Sequence, residues 1–151
     1  MTKNKTYFIA FTVVFAASYV GLCLGLHPLS YGAIQVRVAD ALYPLIALFG
    51  TPALLGCVIG HFIANLFSPL GVIDLLSVAL FIPAKLAILK WHFKGVAMHV
   101  VSVAFWVGYM LHMLYSLPLL ETIVYVGIGE TIAEMVLGRW LYLELKKRVG
   151  G

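Results

Sequence analysis

The chain has 151 residues, 63% hydrophobic and 11% charged, with a mean hydropathy of +1.04 and a formal charge of +4. Soluble domains are roughly 45–50% apolar and about 25% charged, so this composition excludes an ordinary water-soluble domain. It also leaves no room within these residues for an attached catalytic domain or ATP-binding cassette. A spanning helix takes about 20 apolar residues, and residues 1–151 read as a single transmembrane domain: an all-α integral membrane protein with six helices.

Lys3 and Lys5 precede an apolar run over residues 7–26, the first expected span. The run is too long for the core of a typical signal peptide. It ends at His27-Pro28, and the polar stretch SYGAIQVRVAD follows. A short second helix is expected over 41–49. Gly50-Thr51-Pro52 forms a turn, Pro52 being acceptable at the first helical position. The third span covers 53–67 and closes at Ser68-Pro69-Leu70-Gly71. The fourth covers 74–89 with a kink at Pro83, the fifth 95–115, and the sixth 121–145.

The basic residues test that layout. With the N-terminus inside, Lys3, Lys5, Lys90, Lys94, Lys146, Lys147 and Arg148 fall on the cytoplasmic side. Lys85 and Arg139 lie within spans toward the same side, where long stems can snorkel to the interface. Only Arg37 falls outside. This asymmetry predicts six spans with both termini cytoplasmic, and it assigns the positive charge to the bilayer rather than to nucleic acid. Cys23 and Cys57 sit in apolar stretches and are expected as buried thiols.

Polar groups inside a bilayer are costly and usually face a cavity or a partner. Here Gln35, Arg37 and Asp40 in the first outer segment, and Asn65, Asp74 and Glu130 on three further spans, gather toward the outer half, which predicts a pocket opening outward. Structural readings stand beside this one. Arg37 and Asp40 are spaced to pair across a helical turn, Asp74 is placed to cap the fourth span, and Asn65 is suited to bonding a neighbouring helix. Glu121 reads as a solvated first-turn carboxylate. Glu134 reads as a partner for Lys85, and His61, His99 and His112 as hydrogen-bonded packing residues. Glu130 is the stronger ligand candidate, because a carboxylate at that depth needs a partner or a proton. Trp106 and Tyr109 are placed to stack on a flat ligand or to pack.

Two small-residue faces stand out: Ala17, Gly21 and Gly25 on the first span, and Gly56 and Gly60 on the third. Either allows close helix approach, inside the bundle or against another subunit. The chain has no phosphate-binding loop, HExxH, GxSxG or Cys/His cluster. An enzyme, a bound metal or another cofactor is therefore not expected, and transport energy would have to come from another protein.

Three segments in order carry a resemblance: YGAIQVRVADAL, then the Gly56/Gly60 pair with IANLFSPLGVIDLL, then GIGETIAEMVLGRWL. Over about residues 29–74 and 127–143 the chain resembles the QueT family. The resemblance implies a substrate-binding (S) component of an energy-coupling-factor (ECF) transporter for queuosine precursors in the plasma membrane. Position by position it implies substrate contacts at Gln35, Arg37, Asp40, Asn65, Asp74 and Glu130. It also implies that the Ala17-Gly21-Gly25 ridge docks on a membrane scaffold subunit driven by two ATPases, which use the ATP. A 7-deazaguanine presents adjacent N–H donors that Glu130 could accept, with Gln35 or Asn65 on the carbonyl side and Trp106 or Tyr109 on the face. Three other readings remain beside it: an S component for another flat vitamin or base, a structural protein resembling the rod-shape membrane subunit, and an intramembrane enzyme.

Overall fold

A computed structural model describes residues 3–31 and 36–149, and among these the chain is helical with no strand. Helix α1 spans Lys3–Gly25 and α2 is the single turn His27–Ser30. A 3₁₀ segment, Val38–Leu45, leads into α3, Ile46–Phe49. Then come α4 (Thr51–Asn65), α5 (Val72–Leu80), α6 (Ile82–Trp91) and α7 (Phe93–Tyr115). The last helical run begins as α8 (Leu119–Glu130), passes through a π-helical segment, Thr131–Gly138, and ends as α9 (Arg139–Val149). Among the described residues, three stretches are long and apolar enough to cross a membrane: Lys5–Gly25, Val72–Trp91 and Phe93–Tyr115.

The elements follow the expected runs, with three departures in backbone type. The second helix is mostly 3₁₀, because Pro44 lies inside it and removes an N–H that an α-helix would use. The fourth span breaks at Phe81 into α5 and α6, leaving Pro83 in the first turn of α6, where its missing donor matters least. The last span widens into π geometry just after Glu130, a distortion that often marks functional positions.

The two small-residue faces do different things. A Cβ on Gly56 would lie 2.5 Å from the Phe15 Cβ, and one on Gly60 would lie 2.7 Å from the Tyr19 Cβ. Only glycine lets α4 come this close to α1. Around Gly21 and Gly25 nothing lies within 4 Å of where a Cβ would be, and with Ala17 they form an exposed stripe.

Polarity is distributed inside-out. Val72 and Leu120 are each 78% exposed, while Lys85 and Glu134 are 0% exposed. Four of the six acidic residues, Asp40, Asp74, Glu130 and Glu134, are buried. An apolar outer surface around buried charges is what a lipid solvent selects, and the chain is a membrane protein. Cys23 and Cys57 are buried and free. Lys85 does not snorkel: it is fully buried and points into the body of the protein, because its ammonium lies against His61.

Replacing Gly60 with Leu should overpack the α1–α4 contact at a cost of about 1–3 kcal/mol. The melting temperature of the detergent-solubilised protein is expected to fall by several degrees. Gly21→Leu, with open space around it, should leave that temperature unchanged.

Candidate functional site

Apart from Ser30 and Thr122, the buried polar side chains gather in one cluster, delivered by α1, the 3₁₀ segment, α4, α5, α6, α7 and the last helical run. Its outer part centres on Arg37. The guanidinium lies 3.6 Å from the Asp74 carboxylate, donates to Asn65 Oδ1 at 3.4 Å and lies 3.2 Å from His61 Nε2. Tyr31, whose hydroxyl donates to the Ala64 carbonyl at 2.7 Å, places its ring 5.4 Å from the same guanidinium. Asn65 in turn donates to the Asp74 carbonyl at 2.8 Å and to Ser77 Oγ at 3.1 Å, tying α4 to α5.

These contacts revise two structural expectations. Arg37 pairs with Asp74 rather than with Asp40. The reason is local: Arg37 stands just before the 3₁₀ segment with ψ 88, outside helical geometry, so the three-residue spacing no longer puts the two on one face. Asp74 is not a cap either. Gly71 holds the N-cap position with φ 67, and Asp74 sits inside the first turn of α5 with its carboxylate turned to Arg37. The expectation for Asn65 holds, since it does bond a neighbouring helix.

The inner part is built around His61. Its Nδ1 lies 2.7 Å from Lys85 Nζ and 3.3 Å from the Tyr43 hydroxyl, while its Nε2 faces Arg37. An uncharged imidazole has one acceptor nitrogen, so it can accept from Arg37 or from Lys85, not from both. Lys85 also sits 4.7 Å from the Tyr43 ring centroid. Asp40 accepts from the Tyr19 hydroxyl at 2.5 Å, and Tyr43 donates to Tyr19 at 3.0 Å. Glu134 pairs with His99 Nδ1 at 2.8 Å instead of with Lys85. Carboxylate oxygens of Asp40, Glu130 and Glu134 all lie within 4.8 Å of one another.

At a rise of 1.5 Å per residue, Glu130 lies about 16 Å along the helix from Leu119. The network therefore runs from the end where α4 closes and α8 opens down into the middle of the body. Several buried atoms in it have no hydrogen-bond partner among the described residues: Asp74 Oδ2, His99 Nε2, Glu130 Oε2 and Glu134 Oε2. Asp74 Oδ2 is answered by the Arg37 guanidinium as an ion pair at 3.6 Å, whereas each of the other three costs free energy unless something answers it.

Arg37, Asp40, Asn65, Asp74 and Glu130 thus converge, as their sequence positions suggested. Gln35 lies outside the described residues. Trp106 and Tyr109 do not join the network. They line a separate groove of about 520 Å³ between α5, α7 and α8, with Leu80, Phe81, Phe105 and Ile123. Phe81 is the wall between the two regions, stacked on His61 with ring centroids 6.1 Å apart and meeting His99 edge-on at 5.4 Å. Glu121 is exposed, as expected. Sequence reasoning gave no ligand role to Tyr19, Tyr43, Lys85 or Glu134, which complete the inner network. The signal for Lys85 and Glu134 was their depth within apolar runs; Tyr19 and Tyr43 gave none, because membrane tyrosines are ordinarily packing or interface residues.

A family model described as QueT transporter matches residues 9–147. No curated protein and no solved structure matches the chain.

Breaking one half of a buried ion pair leaves the other half uncompensated, at a cost of about 3–5 kcal/mol. Asp74→Leu and Arg37→Met are each expected to destabilise the protein strongly in thermal unfolding. The double variant should recover much of that loss, and a simply additive double variant would contradict the pairing.

Proposed function

The chain belongs to the QueT transporter family, and from that premise we propose that it is the substrate-capture subunit of an ECF importer, taking up a queuosine precursor. The observation that carries this reading is the buried polar network with its unanswered acceptors, set in a body whose outside is apolar. Such a network costs stability, so a role in binding accounts for it better than a role in folding. The substrate would present a 7-deazaguanine edge to Glu130, with Asn65 or Gln35 on the carbonyl side. Arg37, Asp40 and Asp74 would complete and orient the site. Discrimination would come from the polar groups that a wrong ligand leaves unpaired. For Trp106 and Tyr109 the proposal is narrower: they stack on the ligand only if it extends past Phe81.

In this reading the chain crosses the plasma membrane six times, with both termini cytoplasmic and the site opening outward. The three long spans, the short pair formed by Val38–Phe49 and Thr51–Asn65, and the run from Leu119 to Val149 supply the six crossings. The placement of the basic residues supports the orientation. The chain itself holds no cofactor in the cycle; two ATPases bound to a membrane scaffold use the ATP. The exposed Ala17-Gly21-Gly25 stripe is proposed as the surface that meets the scaffold, because it is smooth, lies outside the bundle and is unused by the chain's own packing.

Uptake of a radiolabelled 7-deazaguanine by cells expressing this chain with a scaffold and ATPases tests the reading. Uptake should require all the subunits. Gly21→Leu should abolish uptake yet leave ligand affinity of the purified protein within about twofold, a change of under 1 kcal/mol. Failure of the folded wild-type protein to bind any deazaguanine would overturn the substrate. Full uptake by Gly21→Leu would overturn the docking surface.

A further inference from the structure

The end of the body formed by the α6–α7 turn and α9 carries positive charge that the chain does not answer. Lys90, Lys94, Arg139 and Lys146 are exposed there, and among the described residues none has a carboxylate partner. All six acidic residues are committed elsewhere. Asp40, Asp74, Glu130 and Glu134 are buried, and Glu121 lies in the first turn of α8, past the far end of α7. Glu144 accepts from Lys147 at 2.8 Å. Aromatic rings position the cations instead. Phe93 and Tyr142 meet edge-on with centroids 5.1 Å apart, joining α7 to α9. The Arg139 guanidinium lies 5.6 Å from the Phe93 centroid, and the Lys146 ammonium reaches back to 5.7 Å from that of Tyr142. Lys90 lies 5.6 Å from the Trp91 centroid. The turn itself is tight: His92 takes φ 49, and a Cβ on Gly95 would fall 2.4 Å from the Ala87 carbonyl carbon. Lys90 and Lys94 therefore flank one fixed corner.

We propose that this corner binds the phosphate headgroup of an acidic phospholipid, with Arg139 at its centre and Lys90, Lys94 and Lys146 around it. The aromatic residues set the depth. Trp91 and Trp140 are 47% and 60% exposed beside the cations, and tryptophan at the end of a span sits at headgroup level. The spans Val72–Trp91 and Phe93–Tyr115 both end at this corner, so it meets the bilayer where the phosphates lie. A guanidinium stacked on a ring keeps its in-plane N–H groups free, and that planar fork matches a phosphate with two parallel hydrogen bonds. The lysines add point charge. An acidic protein partner would have to bring its carboxylates to the edge of the hydrocarbon. The cytoplasmic leaflet, which this end faces in the proposed orientation, supplies phosphate and net negative charge without one. Arg148 stands apart from the corner. It lies about 13 Å further along α9 than Arg139, beyond the screening length of about 8 Å at physiological salt. This surface depends neither on what the buried network holds nor on the small-residue stripe.

Native mass spectrometry of the purified full chain, titrated with phosphatidylglycerol or with phosphatidylcholine of identical acyl chains, tests the surface. The acidic lipid should bind about tenfold more tightly or better. Arg139→Gln and Lys94→Gln should each weaken it about fivefold, the contribution of one basic residue near an acidic lipid surface. Arg139→Lys, which keeps the charge and loses the fork, should fall between the wild type and Arg139→Gln. Phosphatidylcholine affinity and the melting temperature should stay unchanged in all three, since the substituted side chains are exposed. Arg148→Gln should alter the affinity for either lipid by less than about twofold. Equal binding of the two lipids by the wild type would overturn the proposal. An equal loss in Arg148→Gln would do the same, because the attraction would then belong to the whole end and not to this corner. Release of the acidic lipid by millimolar inorganic phosphate at constant ionic strength would overturn it in favour of a soluble anion.

Discussion

Burying charge inside a body that is itself surrounded by hydrocarbon is the constraint on which this structure depends. The cost of a buried carboxylate or ammonium falls only when a partner is fixed beside it, and here four carboxylates and two cations are buried together. Arg37 and Asp74 meet that requirement with each other, and Asn65 and Ser77 lock the geometry by joining α4 to α5. The inner group meets it only in part. Such an arrangement is tolerable in a protein whose task supplies the missing partner.

The backbone is irregular where the inner group is assembled. The 3₁₀ segment carrying Asp40 and Tyr43 packs directly against the π segment carrying Glu134, with Glu130 at the junction. Non-α geometry at membrane depth is tolerated where it lies against other protein rather than lipid, and these two segments provide that cover for each other. The regular helices supply the frame: α1 seated on the glycines of α4, and α7 packed between α6 and α8. Rigid elements thus bring the ionisable groups together, while the outward surface stays free for lipid and for the exposed small-residue stripe.

Hydropathy made the helical runs legible, because a span announces itself by length and composition alone. Their boundaries in the structure lie within a few residues of the apolar limits, as in α7 and α4. The convergence of Arg37, Asn65, Asp74 and Glu130 was legible for a related reason, since polar groups in such a sequence have few other places to go. Pairing within the cluster was not. Asp40 is nearer to Arg37 in sequence than Asp74 is, and only the non-helical backbone at Arg37 decides between them. Lys85 shows the same gap: its depth is written in the sequence, but which face of α6 turns inward depends on the break at Phe81. Phe81 also separates Trp106 and Tyr109 from the charges, a division that no spacing rule contains.

The central claim is that the ligand is held by the buried network and not by the aromatic groove beyond Phe81. Calorimetric affinities of one deazaguanine for the wild type, Glu130→Gln and Trp106→Phe separate the two directly. The account predicts a loss of about 100-fold for Glu130→Gln, as expected when a buried charged acceptor no longer matches its donors. It predicts a change within about threefold for Trp106→Phe, under 1 kcal/mol. An unchanged affinity in folded Glu130→Gln, with a large loss in Trp106→Phe, would contradict it and move the ligand to the groove.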